Sequence, residues 1–207
     1  MKRTDKKNIV VGVSGIMGSG KTTVARVFEE LGARRIDADE IGKELLKEPG
    51  IREALINAFG DGVKGTRGGI DTARLAAAAF KTEKHVRMLN EITRDALISR
   101  IKTKIEQFAD AADITVVDAA LLPEWDSKEW LDVLIVVDSC EDASVRRSCS
   151  DSRFKPANVR ARMKHQFSRR EKTDCADIII PNYGSLEDLR ERAAKVFSTL
   201  MGIARKG

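Results

Sequence analysis

The stretch Gly15-Ile-Met-Gly-Ser-Gly-Lys-Thr22 has the residue types and spacing to hold a polyphosphate, G-x-x-x-x-G-K-[ST]. Glycines at 15, 18 and 20 leave backbone N–H groups room to wrap phosphate oxygens, and the helix expected next turns the positive end of its dipole toward them. In such a cradle Lys21 bridges the β- and γ-phosphates of ATP and Thr22 places its hydroxyl on Mg2+, whose shell is otherwise left to water and substrate oxygens. Gly15, Gly18, Ser19, Gly20, Lys21, Thr22 and Thr23 form the expected nucleotide-contacting set. A flexible glycine turn with an incidental lysine is the competing reading. The apolar run Ile9–Val13 before the motif and the amphipathic segment after it favour the cradle.

Further along, Asp37-Ala-Asp39 closes a short apolar run and sets two carboxylates where open α/β sheets bind ligands. Asp39 either caps the helix Glu40–Leu46 or orients and deprotonates an acceptor hydroxyl, a task that in phosphoryl transfer is mostly positioning. Asp118 and Asp138 also end apolar runs, and Asp118 is the preferred partner for magnesium, through water. Arg146, Arg147, Arg153, Lys155, Arg160, Arg162 and Lys164 form a basic stretch that reads as a solvated helix face or as a lid. A lid of arginines over the γ-phosphate excludes water and neutralises charge in the transition state. Val159, Met163 and Phe167, four apart, predict the packed side of one helix, with Arg162, Gln166 and Arg169 on another face. Asn182-Tyr-Gly-Ser185 either hydrogen-bonds adenine, through backbone groups or the Asn182 amide, or simply turns the chain at Gly184.

These residues need a scaffold, and the hydrophobic pattern supplies one. Apolar, β-branched runs at Asn8–Val13, Asp113–Asp118, Leu131–Asp138 and Asp177–Ile180 predict buried parallel strands, with a shorter fifth at Ala33–Asp37. Helical segments at Thr22–Leu31, Glu83–Phe108, Glu141–Ser150 and Ser185–Met201 alternate with them. The pattern predicts an α/β fold, one domain over 1–207 built on a doubly wound five-stranded parallel sheet. The stretch 39–108 is far longer than a crossover helix needs and predicts a helical insertion, its short helices separated by turns at Glu48-Pro49-Gly50, Gly60-Asp-Gly62 and Gly68-Gly69. The lid is expected over 149–172.

Composition narrows the classes. A chain of 207 residues with 42% hydrophobic and 33% charged residues can bury one substantial core and argues against long disorder. The formal charge of +5 suits anionic ligands but is too small to imply nucleic acid, so no nucleic-acid partner is expected. Cys140, Cys149 and Cys175 are odd in number and lack metal-type spacing, which fits a reducing cytoplasm rather than a disulfide framework or a zinc site. Lys2, Arg3, Lys6 and Lys7 before Ile9–Met17 imitate a secretory leader, but Gly12, Ser14 and Gly15 break the stretch and it runs into the cradle, so no cleaved leader is expected. No apolar run approaches the roughly 18 residues of a membrane span, and no membrane association is expected.

The combination resembles the dephospho-CoA kinase family across nearly the whole chain. The likeness is carried by Gly12-Val-Ser-Gly-Ile-Met-Gly-Ser-Gly-Lys-Thr-Thr23, Leu31-Gly32, Ile36-Asp-Ala-Asp39, Gly69-Ile-Asp71, Leu89-Asn-Glu-Ile-Thr93, Val136-Val-Asp138, Gln166, Asn182 and Gly184-Ser-Leu-Glu187. The resemblance implies a P-loop kinase fold and transfer of the ATP γ-phosphate to the ribose 3′-hydroxyl of dephospho-CoA, the last step of coenzyme A synthesis. It makes Asp39 the catalytic aspartate and Asp37 its support, and assigns the insertion to acceptor binding. There Lys43 stands where the family usually has arginine, which keeps the charge and loses the bidentate fork. Arg147 matches a position near adenine, and Arg153 is the candidate lid arginine. Thr93-Arg94-Asp95 departs from the family's His-Pro after threonine, and Ala119-Ala-Leu-Leu-Pro-Glu124 has moved its proline. Two rivals stand beside this reading: a kinase for a nucleoside monophosphate or other small metabolite, and a nucleotide-dependent switch ATPase that turns over without an acceptor.

Overall fold

Every apolar, β-branched run becomes a strand of one parallel sheet in a computed structural model of the protein, which describes residues 8–66, 68–150 and 155–205. The strands β1 (Ile9–Ser14), β2 (Arg34–Asp37), β3 (Ile114–Asp118), β4 (Val133–Asp138) and β5 (Ile178–Pro181) lie side by side as β2-β3-β1-β4-β5. Strands covered on both faces read as continuous apolar runs rather than alternating ones. Accordingly Val10, Val11 and Val13 of β1 and Val116 and Val117 of β3 are wholly buried. From β1 the chain crosses to β2 and, after β3, back past β1 to β4. This makes the carboxyl end of β1 the point where strand order reverses, the usual ligand crevice of such sheets.

Register then decides which side chains meet there. Asp37 of β2 stands opposite Asp118 of β3, and Val13 of β1 opposite Asp118, so the two carboxylates are neighbours at the carboxyl edge. At the other edge, strand entry is secured by aspartates. Val10 donates its amide to Asp132 Oδ2 and Leu134 donates to Asp177 Oδ2, each at 2.7 Å, so buried backbone donors are satisfied where β4 and β5 begin.

Two helices cover one face. Helix α1 (Lys21–Glu30) buries Val24, Ala25, Val27 and Phe28, and the long C-terminal helix from Leu186 to Ala204 buries Leu189, Ala193, Phe197 and Leu200. Both sets follow the helical period that lines up one apolar stripe. Phe28 and Phe197 meet edge to face with centroids 5.2 Å apart. Truncating Phe28 to alanine should cost about 3–5 kcal/mol in lost burial and cavity.

A second compact unit spans Ala38–Thr103 and holds α2 (Ala38–Leu45), α3 (Pro49–Phe59), α4 (Thr72–Ala79) and most of α5 (Glu83–Gln107). Its own apolar cluster centres on Leu55, Val63 and Leu75, joined by Ile51, Phe59, Leu89 and Ile92. Local chemistry sets its boundaries. Pro49 opens α3 at the helix position that needs no N–H, and Asp71 caps α4 by accepting from the Ala73 and Arg74 amides at 2.9 and 3.0 Å.

Three short helices, α6 (Glu141–Cys149), α7 (Pro156–Met163) and α8 (Arg169–Asp174), precede β5, and the C-terminal helix is α9 (Leu186–Ala204). The single packed stripe expected for Val159, Met163 and Phe167 does not form. Val159 is wholly buried, Met163 is half-buried and Phe167 is exposed, because α7 ends at Met163. Ser168 and Glu171 form a reciprocal capping box that starts a new helix, which outweighs continuation of the apolar spacing.

Candidate active site

The cradle sits between the end of β1 and the start of α1. Gly20 occupies the N-cap of α1 at φ 102°, and Gly18 has φ 77°, both in the left-handed region that favours glycine. Space compounds this at Gly18, where an added Cβ would collide with the Ser144 carbonyl of α6. Two side chains hold the loop from outside. Asn182, 6% exposed, donates its amide to the Ser19 carbonyl at 2.7 Å, and Arg147 donates to the Gly18 carbonyl at 3.0 Å and to the Asn182 carbonyl at 3.3 Å. Arg147 and Asn182, expected near adenine, thus each spend a donor on a loop carbonyl, and Arg147 spends another on Asn182. Gly184 lies against the Asp188 carboxylate, which closes the capping box of α9 with Ser185, and an added Cβ there would clash.

Beside the cradle four charged groups interlock. Lys21 Nζ donates to Asp118 Oδ1 at 3.0 Å and to the Thr22 hydroxyl at 3.3 Å. Arg35 Nη2 reaches Asp118 Oδ2 at 2.9 Å and Asp37 Oδ2 at 2.5 Å, so one nitrogen links the two neighbouring carboxylates. Burial works against the Arg35 charge, but Asp118 and Asp37 outweigh it and raise its pKa. Sequence reasoning missed Arg35. The available signal was its place two residues before Asp37, which strand alternation puts on the same face.

Two more polar clusters flank this group. Lys172, 1% exposed, donates to Glu124 Oε1 at 2.7 Å and to the Ala120 carbonyl at 2.7 Å, and burial pulls its pKa down against the pull of Glu124. Asp138 accepts from Arg169 Nε at 2.5 Å and Nη2 at 2.8 Å and from the Tyr183 hydroxyl, and the Arg169 bonds hold its pKa below the usual value. Arg160 is bound to Glu141 at 2.8 Å and Asp142 at 2.7 Å on α6.

Within the sheet unit the structure therefore gathers Lys21, Thr22, Asp37 and Asp118, with Arg147 and Asn182 on the loop. Thr23 follows in the first turn of α1. Asp39 is the second residue of α2, in its first turn, and Lys43 lies one turn on, both within the second unit. Arg153 lies outside the described residues. For magnesium, the donor set is one hydroxyl and one carboxylate, and no group of three or more His, Cys, Asp or Glu suited to a metal occurs among the described residues. That fits a hard ion held largely by phosphate and water rather than by an all-protein cage.

A parallel sheet ordered β2-β3-β1-β4-β5, with a glycine-rich loop and its lysine at the carboxyl end of β1, defines a P-loop kinase. Residues 9–188 match the family model described as dephospho-CoA kinase, and the chain belongs to that family. It is 37% identical to the dephospho-CoA kinase of Thermobifida fusca, over 92% of this chain and 95% of that one. It is 34% identical to the dephospho-CoA kinase of Aquifex aeolicus, over 92% of this chain and 96% of that one. Among solved structures, TT1252 from Thermus thermophilus superposes with a TM-score of 0.75 at 27% identity, covering 93% of this chain and 97% of that one.

Proposed function

We propose that the chain transfers the γ-phosphate of ATP to the ribose 3′-hydroxyl of dephospho-CoA, the last step of coenzyme A synthesis. The observation that carries the reading is the phosphate loop with Lys21 held on Asp118, in a chain whose residues 9–188 match dephospho-CoA kinases. Family membership decides against the switch ATPase and against a nucleoside monophosphate acceptor.

Backbone amides of Gly15–Thr22 cradle the phosphates, and Lys21 leaves Asp118 to bridge the β- and γ-phosphates. Arg147 and Asn182 keep the loop in its phosphate-receiving shape by fixing its carbonyls, with the turn at Gly184 carrying Asn182 there. Thr22 and Asp118 would hold Mg2+, and when bound the ion neutralises charge on the β- and γ-phosphate oxygens. Asp39 orients and deprotonates the acceptor hydroxyl, Asp37 supports it from the end of β2, and Lys43 offers a cation to the phosphates of dephospho-CoA. Arg153 serves as the lid arginine. Free Cys140, Cys149 and Cys175, and the lack among described residues of a helix long and apolar enough to cross a membrane, support a cytoplasmic enzyme.

The test is ATP consumption by purified protein with and without dephospho-CoA, with the product located by mass and by loss of the free 3′-hydroxyl. Rapid turnover only with dephospho-CoA is expected. Turnover with a nucleoside monophosphate and none with dephospho-CoA would overturn the reading.

A further inference from the structure

Arg35 is a member of the charged cluster that neither the phosphate-binding motif nor the family resemblance accounts for. It lies on β2 with its side chain 11% exposed, and Nη2 spans the facing oxygens of Asp37 and Asp118 at 2.5 and 2.9 Å. Its Nη1 is 3.9 Å from Glu29, while Nε is buried without a hydrogen-bond partner. The grip of the guanidinium is thus concentrated on the two aspartates.

Those aspartates are register partners on adjacent strands, so their like charges are forced together by the sheet itself. Asp118 is 2% exposed and has one oxygen on Arg35 and the other on Lys21. Remove Arg35 and Asp118 loses the cation on one oxygen while Lys21 stays on the other. The lysine would then be gripped harder by Asp118, and phosphate would have to compete with that grip.

We propose that Arg35 is a positioning residue for the kinase reaction: by holding Asp37 and Asp118 together and sharing the Asp118 charge, it keeps Lys21 releasable to the nucleotide phosphates. The inference rests on the reading of Lys21 as the phosphate lysine. It predicts that Arg35 acts on nucleotide binding through Asp118, so the two residues must be coupled.

The experiment is calorimetric ATP binding in EDTA, where no turnover occurs and no metal contributes, for wild type, Arg35→Met, Asp118→Asn and the double variant. Arg35→Met should weaken ATP about tenfold in the wild-type background, the scale of one charge-assisted hydrogen bond. With Asp118→Asn already present, the same change should cost less than about twofold, because the grip on Lys21 is gone. Arg35→Lys should recover most of the affinity. An equal loss in both backgrounds would mean that Arg35 acts only as a distant charge, and a fall in melting temperature without change in affinity would make it a purely structural ion pair. Either result overturns the proposal. Lys21→Ala, measured alongside, tests the underlying reading separately: unchanged ATP affinity there removes Lys21 from the phosphates whatever Arg35 does.

Discussion

Lys172 donates to both oxygens of the Glu124 carboxylate, at 2.7 and 2.9 Å, from a side chain 1% exposed. The same nitrogen reaches the Ala120 carbonyl at 2.7 Å, which also accepts from the Ser14 hydroxyl at 2.8 Å, next to the first glycine of the phosphate loop. Glu124 Oε1 in turn accepts the Phe167 amide at 2.8 Å. One buried ion pair therefore ties the segment after β3, the end of β1 and the turn between α7 and α8.

Removing one partner of such a pair leaves an uncompensated buried charge, so Lys172→Met should lower stability by about 3–5 kcal/mol. Replacing both partners removes the stranded charge. Lys172→Met with Glu124→Leu should therefore recover most of the loss, read as urea midpoints for the two variants. Equal midpoints for single and double variants would show that packing, not charge, sets the effect.

Asn182 provides a second test, because its amide ties the β5–α9 connection directly to Ser19 in the phosphate loop. Asn182→Ala removes the shorter of two hydrogen bonds to the Ser19 carbonyl and leaves Arg147 Nη1 at 3.4 Å, at a cost of about 0.5–1.5 kcal/mol in stability. It should also raise the KM for ATP several-fold while kcat changes less, since a loosened cradle binds ground and transition states alike less well. Asn182→Asp should be worse than alanine, as it sets a carboxylate against a carbonyl oxygen. Steady-state kinetics on both variants decide it; unchanged KM values would assign Asn182 to the turn alone.

The residues that could be read from sequence are those whose role depends on neighbours in the chain. The loop Gly15–Thr22 carries its strand, glycines and helix within one segment, and each apolar run from Ile9 to Ile180 announces its strand by composition. Arg35 and Lys172 were opaque for the opposite reason. Their partners Asp118 and Glu124 are 83 and 48 positions away, and only the sheet register and the packing of α8 bring them together. Phe167 shows a local signal defeated by another: its spacing continued the α7 stripe, but the Ser168 capping box restarted the helix. Arg147 and Asn182 were expected near adenine, and their contacts to loop carbonyls depend on how α6 and β5 pack beside β1 and β4.

Asp138 sets the acid limit of the region around Arg169 and Tyr183. Hydrogen bonds from Arg169 hold its pKa below the ordinary 3.8, so the folded protein binds this proton less readily than the unfolded chain does. The resulting stabilisation is fully present above about 3.8 and is lost as pH falls through the lowered folded value. Asp138→Asn should be less stable than wild type at pH 6, with the gap narrowing as pH falls from 4 toward 2. Urea unfolding at stepped pH measures this. A gap that stays constant over that range would remove Asp138 ionisation from the acid response.

Asp39 separates the two readings that the sequence left open, helix charge or acceptor chemistry. It lies in the first turn of α2, where a carboxylate gains about 0.3–1 kcal/mol from the helix dipole. Asp39→Asn removes that charge while keeping the shape, so a helix role predicts a small loss of stability and near-normal turnover. A role in deprotonating the 3′-hydroxyl predicts stability almost unchanged and kcat lower by about 10²–10⁴, the range for loss of general-base assistance. ATP affinity should stay within about twofold, since phosphate binding lies with the loop and Lys21. We expect the second pattern, measured by kcat at saturating dephospho-CoA alongside ATP binding and thermal unfolding of the same preparation. If kcat falls only together with ATP affinity, Asp39 serves nucleotide binding, and the base must be sought in another carboxylate, with Asp37 at the end of β2 the first to replace.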